Sequence, residues 1–199
     1  MLDKCTTKSW ETSLYEPQQL YYNLMGEKIL TDKNVKSAYY MAKHKKSCDS
    51  PAWDGMTRTI LDGMEQEHAW SLIRYHVLHG PSGCVKRFDI PKNNGKTRPI
   101  SIYPLLDRVA QWCIMEPLRK ACGPLLSPIN HAFLKGKSCK TAFEAFPPAG
   151  EAGYVICGDI HSFFDTVSHS LVRACLWSAG IRDSQLLHTI NVTLKTPYK

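Results

Sequence analysis

The sequence predicts an α+β fold, with helices filling its first eighty residues and strands appearing only afterwards. Apolar residues recur at helical spacing over roughly 31–46 and 57–78, the period of a helix with one buried face. Asn94-Gly95 sits between two alternating stretches, 84–90 and 97–103. That is a hairpin signal, because both turn residues tolerate positive φ. Tyr154-Val155-Ile156-Cys157 is a short apolar run closed by Gly153 and Gly158, the pattern of a strand buried in a sheet.

Each element has its own reason. A first helix is expected from about Pro17 to Leu24, with Leu20, Tyr21 and Leu24 on one face. Thr31 or Asp32 then offers an N-cap for a helix to about Lys46, with Val35, Tyr39 and Ala42 inward. The turn formers Cys48-Asp49-Ser50-Pro51 interrupt it. Thr57 can cap a longer helix to about Leu78, stopped by Gly80-Pro81-Ser82-Gly83. After the 84–103 hairpin, Leu105 to Cys122 returns to helical period, with Val109, Cys113 and Ile114 on one side and Pro117 expected to bend it. Ser168 can cap a helix over His169 to Ala179, ended by Gly180, and Asp183 can start the last one.

Composition narrows the function classes. The hydrophobic fraction of 43% suits a folded domain, no segment is low-complexity, and no apolar run is long enough to cross a bilayer. The start Met1-Leu2-Asp3-Lys4 lacks the features of a secretory signal, so a cytoplasmic location is the expectation. Eight cysteines include no Cys-x-x-Cys pair and no Cys/His cluster at zinc spacing. Reduced thiols are therefore expected. The formal net charge of +7 gathers in three stretches, at 33–46, 86–98 and 135–140. Such clustering is the footprint of phosphate-backbone binding, and equally that of solvated faces.

Two segments carry candidate chemistry. In Gly158-Asp159-Ile160-His161-Ser162-Phe163-Phe164-Asp165, an acid ends an apolar run and an aromatic follows five positions later. Asp159 there can hold a hard cation such as Mg²⁺ together with phosphate oxygens, or simply cap the next turn. In the hairpin, Lys92 at the turn and Arg98 on the returning strand can present a point charge and a planar fork to a triphosphate. The same charges on an edge strand also guard against aggregation.

Taken together and in order, these segments resemble bacterial group II intron-type reverse transcriptases. The resemblance runs from about Pro51 to the end. Ala52-Trp53-Asp54-Gly55-Met56-Thr57 is similar to the family's Gly-x-Asp-Gly-x-Thr segment. Ile90-Pro91-Lys92 with Gly95-Lys96-Thr97-Arg98-Pro99-Ile100 matches its fingers hairpin, and Asp107-Arg108-Val109-Ala110-Gln111 its Asp-Arg-x-x-Gln signature. Ala132-Phe133-Leu134-Lys135-Gly136-Lys137-Ser138 parallels Gly-Phe-Arg-Pro-Gly-Arg-Ser, with alanine and two lysines departing from it.

The resemblance implies a right-hand polymerase-like fold divided into an N-terminal helical extension (1–50), fingers (51–150) and a partial palm (151–199) without a thumb. It implies an RNA-directed DNA polymerase that uses an RNA template, a DNA primer, dNTPs and two Mg²⁺ ions. Asp159 would be the first catalytic aspartate and metal ligand, with the Ile160 carbonyl a further metal contact. Phe164 would gate the sugar, Lys92 and Arg98 would hold the triphosphate, and Asp165 would be structural. Lys86, Arg87, Lys135, Lys137 and Lys140 would contact the template or primer backbone. The family's later Tyr-x-Asp-Asp hairpin has no counterpart, since no Asp-Asp pair occurs. The 199-residue chain alone is therefore expected not to extend a primer, and an exposed half-palm is expected to promote self-association. An inactive, maturase-like module binding intron RNA is the alternative expectation. A metal nuclease using Asp159 and His161 is a third.

Overall fold

The computed structural model describes residues 19–45, 52–91, 93, 95–146, 154 and 156–198. The turn at 48–51 and Lys92 lie outside them. The first expected helix, about Pro17 to Leu24, does not form over its described residues 19–23, where Tyr21 instead commits its backbone groups to a bridge with the Gly180–Arg182 segment. The described chain opens with a π-helical turn, Met25–Ile29, closed by the Leu30 amide donating to the Met25 carbonyl at 2.9 Å. Helix α1, Asp32–Lys43, follows with Thr31 as its extended N-cap. It buries Val35, Ala38 and Ala42, with Tyr39 half-buried beside them.

The single helix expected over 57–78 is two. α2, Arg58–Asp62, is capped by the Thr57 hydroxyl, which accepts the Ile60 amide, and it ends at Gly63. α3, Gln66–His79, starts afresh behind an extended Glu65. The period is right, but Gly63 costs about 1 kcal/mol against alanine in a helix interior and the chain turns there instead. Gly80, at φ 79°, ends α3 where its amide donates to the His76 carbonyl. A side chain at Gly80 would also meet Val192 at 3.0 Å.

Strands β1, Lys86–Pro91, and β2, Thr97–Ile102, form the only sheet among the described residues, an antiparallel hairpin. The register pairs Lys86 with Ile102, Phe88 with Ile100 and Ile90 with Arg98. Its root is tied to the end of the chain by the Val85 amide donating to the Pro197 carbonyl at 2.8 Å.

Helix α4, Leu105–Cys122, is the central element and packs against both α1 and α3. Val109 and Cys113 are fully buried, as are Ile73 and Val77 opposite and Val35 on α1. Burying a Val or Ile side chain is worth roughly 1.5–3 kcal/mol, so this face carries much of the stability. α4 runs on through Pro117. The turn before that proline lacks one intrahelical donor, and the Asn34 side-chain amide supplies it to the Cys113 carbonyl at 2.8 Å.

Beyond a 3₁₀ turn at Gly123–Leu125 come the short helices α5, Cys139–Glu144, and α6, Phe163–Thr166. α7, His169–Ser178, ends in a Schellman motif, with Gly180 at φ 91° and the Ile181 amide reaching the Leu176 carbonyl at 3.0 Å. α8, Ser184–Leu194, is capped by Asp183 and lies against α3. Tyr21 pairs with the backbone of Gly180 and Arg182, strapping the start of the described chain to the α7–α8 junction.

The strand expected at 154–157 is corrected as well. Tyr154 and Ile156 are each 95% exposed, and no strand ladder runs through residues 154 or 156–157. An apolar run becomes a buried strand only where neighbours pair its edges and cover its faces. No described strand lies beside it.

Candidate nucleic-acid and nucleotide site

The hairpin decides which cations can act together. Directly paired residues of an antiparallel ladder share a face, and neighbours along a strand point to opposite faces. Lys86, Phe88 and Ile90 therefore share one face with Ile100, Ile102 and Arg98. Arg87 points to the other, where its guanidinium lies over the Tyr198 ring at 4.5 Å. Of the two adjacent strand cations, only Lys86 is aligned with Arg98. Both are exposed.

The acidic segment is presented just as openly. Asp159 is exposed in an irregular stretch, Ile160 is 66% exposed and Phe164 is 79% exposed at the start of α6. The Phe164 ring meets Phe163 edge-to-face at 5.4 Å. Ser162, which precedes α6, holds a left-handed φ of 49°. Neither Asp159 nor Arg98 has a hydrogen-bond or ion-pair partner among the described residues.

The basic segment at 132–140 is a turn built to project side chains. Phe133, at φ 59° and 87% exposed, and Gly136, at φ 78°, reverse the chain. Ser138 and Thr141 then form a reciprocal capping box, and His131 meets the Thr141 hydroxyl at 2.8 Å. Lys135 and Lys137 are exposed, and Lys140 lies 3.8 Å from Glu144 one turn on. Ser162 and Phe133 are the only non-glycine residues at positive φ among those described. Such strain tends to persist where a site needs it.

Asp107, from the Asp-Arg-x-x-Gln segment, is a positioning residue in the interior. It is 2% exposed and its Oδ1 lies 2.6 Å from His76 Nδ1, fastening α4 to α3. Its Oδ2 accepts no protein hydrogen bond and borders a cavity of about 10 Å³ walled by Gln111, Thr189 and Thr193, roughly the room one water needs. In the sequence, the sign of this pair was His76 falling on the apolar face of α3. Trp53 is placed by glycine: its ring packs on Gly83, where a Cβ would come within 2.5 Å. Asp54 closes the adjoining turn by accepting the Met56 amide, with Gly55 at φ 69°.

Residues 90–197 match the family model described as reverse transcriptase (RNA-dependent DNA polymerase). The chain belongs to the reverse transcriptase family. It is 27% identical to Protein YkfC of Escherichia coli over 158 residues, covering 75% of this chain and 41% of that protein. An uncharacterized 91 kDa protein in the cob intron of Schizosaccharomyces pombe is 30% identical over 171 residues, 85% of this chain and 20% of that one. The group II intron-encoded protein LtrA of Lactococcus lactis is 24% identical over 164 residues, 80% and 27% respectively. The chain thus spans less than half the length of these relatives.

Proposed function

We propose that this chain supplies the fingers and first palm segment of a right-hand RNA-directed DNA polymerase from a group II intron-like element, with a helical extension before the fingers at about residue 51. The observation that carries the reading is a pair of opposite, solvent-facing charges, Asp159 and Arg98, neither satisfied within the described chain, inside a segment that matches the reverse transcriptase family. Charged groups left unpaired are available to a ligand, and a triphosphate with its cation complements both.

In this reading Arg98 and Lys92 grip the triphosphate, and Phe164 packs against the sugar and excludes a 2′-hydroxyl. Lys86, Lys135, Lys137 and Lys140 contact template or primer phosphates. Arg87 joins them only if it leaves Tyr198, and Asp159 with the Ile160 carbonyl offers oxygen ligands to Mg²⁺. The cation would stabilise charge on the triphosphate when bound. The donor set matches only part of such a site, because no cluster of three or more His, Cys, Asp or Glu residues that could hold a metal occurs among the described residues. Mg²⁺ sheds its waters reluctantly and is normally held by one or two carboxylates plus phosphate. The chain alone therefore binds and orients. An RNA-binding role of maturase type draws on the same deficit.

Primer extension on an RNA template tests this. The 199-residue protein should incorporate no dNTP. Extended by a palm and thumb half, it should gain activity that Asp159→Ala abolishes, while Arg98→Ala raises the dNTP KM roughly tenfold or more, the cost of about 1.5–3 kcal/mol for a charged hydrogen bond. Extension by the short chain, or full activity of the Asp159→Ala protein, would refute it.

A further inference from the structure

The Asp-Arg-x-x-Gln segment lies in the first turns of α4, away from the groups that would meet a triphosphate or a metal. Its two polar ends, Asp107 and Gln111, are four residues apart and line the same small cavity. Residues at that spacing share one face of a helix. We propose that this cavity is a binding site for one water molecule, held as a fixed link between α4 and α8.

Three observations carry it. The first is a buried acceptor in need of a donor. His76 engages only Oδ1 of Asp107, at 2.6 Å, and Oδ2 has no hydrogen bond among the described residues. Buried polar atoms in folded proteins are nearly always paired, with protein or with ordered water.

The second is the chemistry of the facing wall. Thr189 and Thr193, one turn apart on α8, both border the cavity. Their hydroxyl hydrogens are already committed. Thr189 Oγ1 donates to the Leu78 carbonyl at 3.1 Å, and Thr193 Oγ1 to the Thr189 carbonyl at 2.8 Å. Neither hydroxyl can supply a proton to Oδ2, yet each keeps a lone pair to offer. A ligand seated between carboxylate and hydroxyls must therefore donate on two sides, as water does. The Gln111 amide, at the same wall, can complete the three bonds that a buried water commonly makes.

The third is room. About 10 Å³ accommodates one water and little more. Gln185 and Thr189 already fasten α8 to the end of α3 through the Leu78 carbonyl. The water carries that tie on to α4, so His76, Asp107, the water and the two threonines form one polar chain across three helices. Asp107 and Gln111 thereby act as positioning residues for α8. The assignment stands independently of the polymerase reading.

The test uses the full 199-residue chain in solution. Water-selected NOE and ROE spectra should show contacts, opposite in sign between the two, from a long-lived water to the Ala110 and Ile114 methyl groups. Both residues line the cavity, and neither side chain has an exchangeable hydrogen. Oxygen-17 relaxation dispersion then counts the waters that tumble with the protein. Thr193→Val keeps the shape, removes one acceptor and should lower that count by one. Thr196→Val removes a hydroxyl that also donates to α8 carbonyls but lies off the cavity, and should leave the count unchanged.

Absence of both methyl contacts from the wild-type spectra would overturn the proposal without any variant. Any pattern of counts other than a fall confined to Thr193→Val would do the same. Loss of the methyl contacts on exchanging choline chloride for sodium chloride would give the cavity to a cation and remove the water.

Discussion

Asn34 donates its side-chain amide to the Cys113 carbonyl at 2.8 Å, at the one turn of α4 where Pro117 provides no backbone N–H. The same amide group reaches the Ile29 carbonyl at 2.8 Å, so one residue ties the π-turn, α1 and α4 together. A proline inside a helix normally costs about 3 kcal/mol, and part of that cost is the orphaned carbonyl four residues back.

Asn34→Ala should therefore destabilise by roughly 1–3 kcal/mol in urea unfolding, because it leaves a buried acceptor unpaired. In a Pro117→Ala background the intrahelical donor returns, and the same substitution should cost measurably less. Additive effects in that cycle would show that Asn34 does not compensate for the proline.

Asp183 performs two tasks with one carboxylate. Oδ1 accepts the Leu186 amide at 3.0 Å as the N-cap of α8, and Oδ2 accepts the buried Met25 amide at 2.7 Å. Asp183→Ala should cost roughly 2–4 kcal/mol, the sum of a lost cap and an unsatisfied buried donor. Asp183→Asn, which has one acceptor oxygen, should fall between wild type and alanine. A loss below about 1 kcal/mol for alanine would mean that only the cap matters.

The thiols should separate by burial. Cys113 is fully buried and desolvation pushes its thiol up to about 12, while Cys122 is also raised by burial. Cys139, Cys157 and Cys175 are exposed. Only the thiolate reacts, so among the described thiols iodoacetamide near pH 8 should label those three first and leave Cys113 untouched in the native protein. Mass mapping of native against urea-unfolded protein reads this directly. Native labelling of Cys113 at the rate of Cys139 would contradict the packing of α4.

Tyr39 gives the alkaline limit of stability. Burial, and then its hydrogen bond to Asp62, raise its phenol from 10.0 to about 12. The neutral phenol is the form the folded state favours, so this contribution is complete below pH 10 and is lost as pH rises through 12. Asp62 runs the other way, held below 3.8 chiefly by Tyr39 and helped by Lys43 at 3.2 Å. Its share is present above that pH and fades as pH falls through the folded value. In Tyr39→Phe, the alkaline loss of melting temperature should flatten. An unchanged profile would show that Tyr39 ionises as freely folded as unfolded.

Much of this was readable in advance. The hairpin, the Thr57 and Asp183 caps and the Gly180 stop are local matters, set by turn chemistry and side-chain reach within a few residues. What the sequence concealed was long-range. Nothing near Asn34 announces an acceptor 79 positions away, and His76 with Asp107 spans 31. The break at Gly63 was missed because helical period survived it. The 154–157 run misled for a related reason: its composition describes a strand in company, and the described chain gives it no neighbour. At the candidate site the residue types were legible, but their facing was not. Register alone aligns Lys86 with Arg98 and turns Arg87 towards Tyr198.

The strap from Tyr21 to Gly180 and Arg182 sets an order of events in synthesis. The segment at Tyr21 must wait, unpaired, until Gly180 and Arg182 have left the ribosome before its partner exists. Closure of so long a loop comes late and slowly. Partners that engage the nascent chain before then will meet the segment around Tyr21 loose rather than stowed.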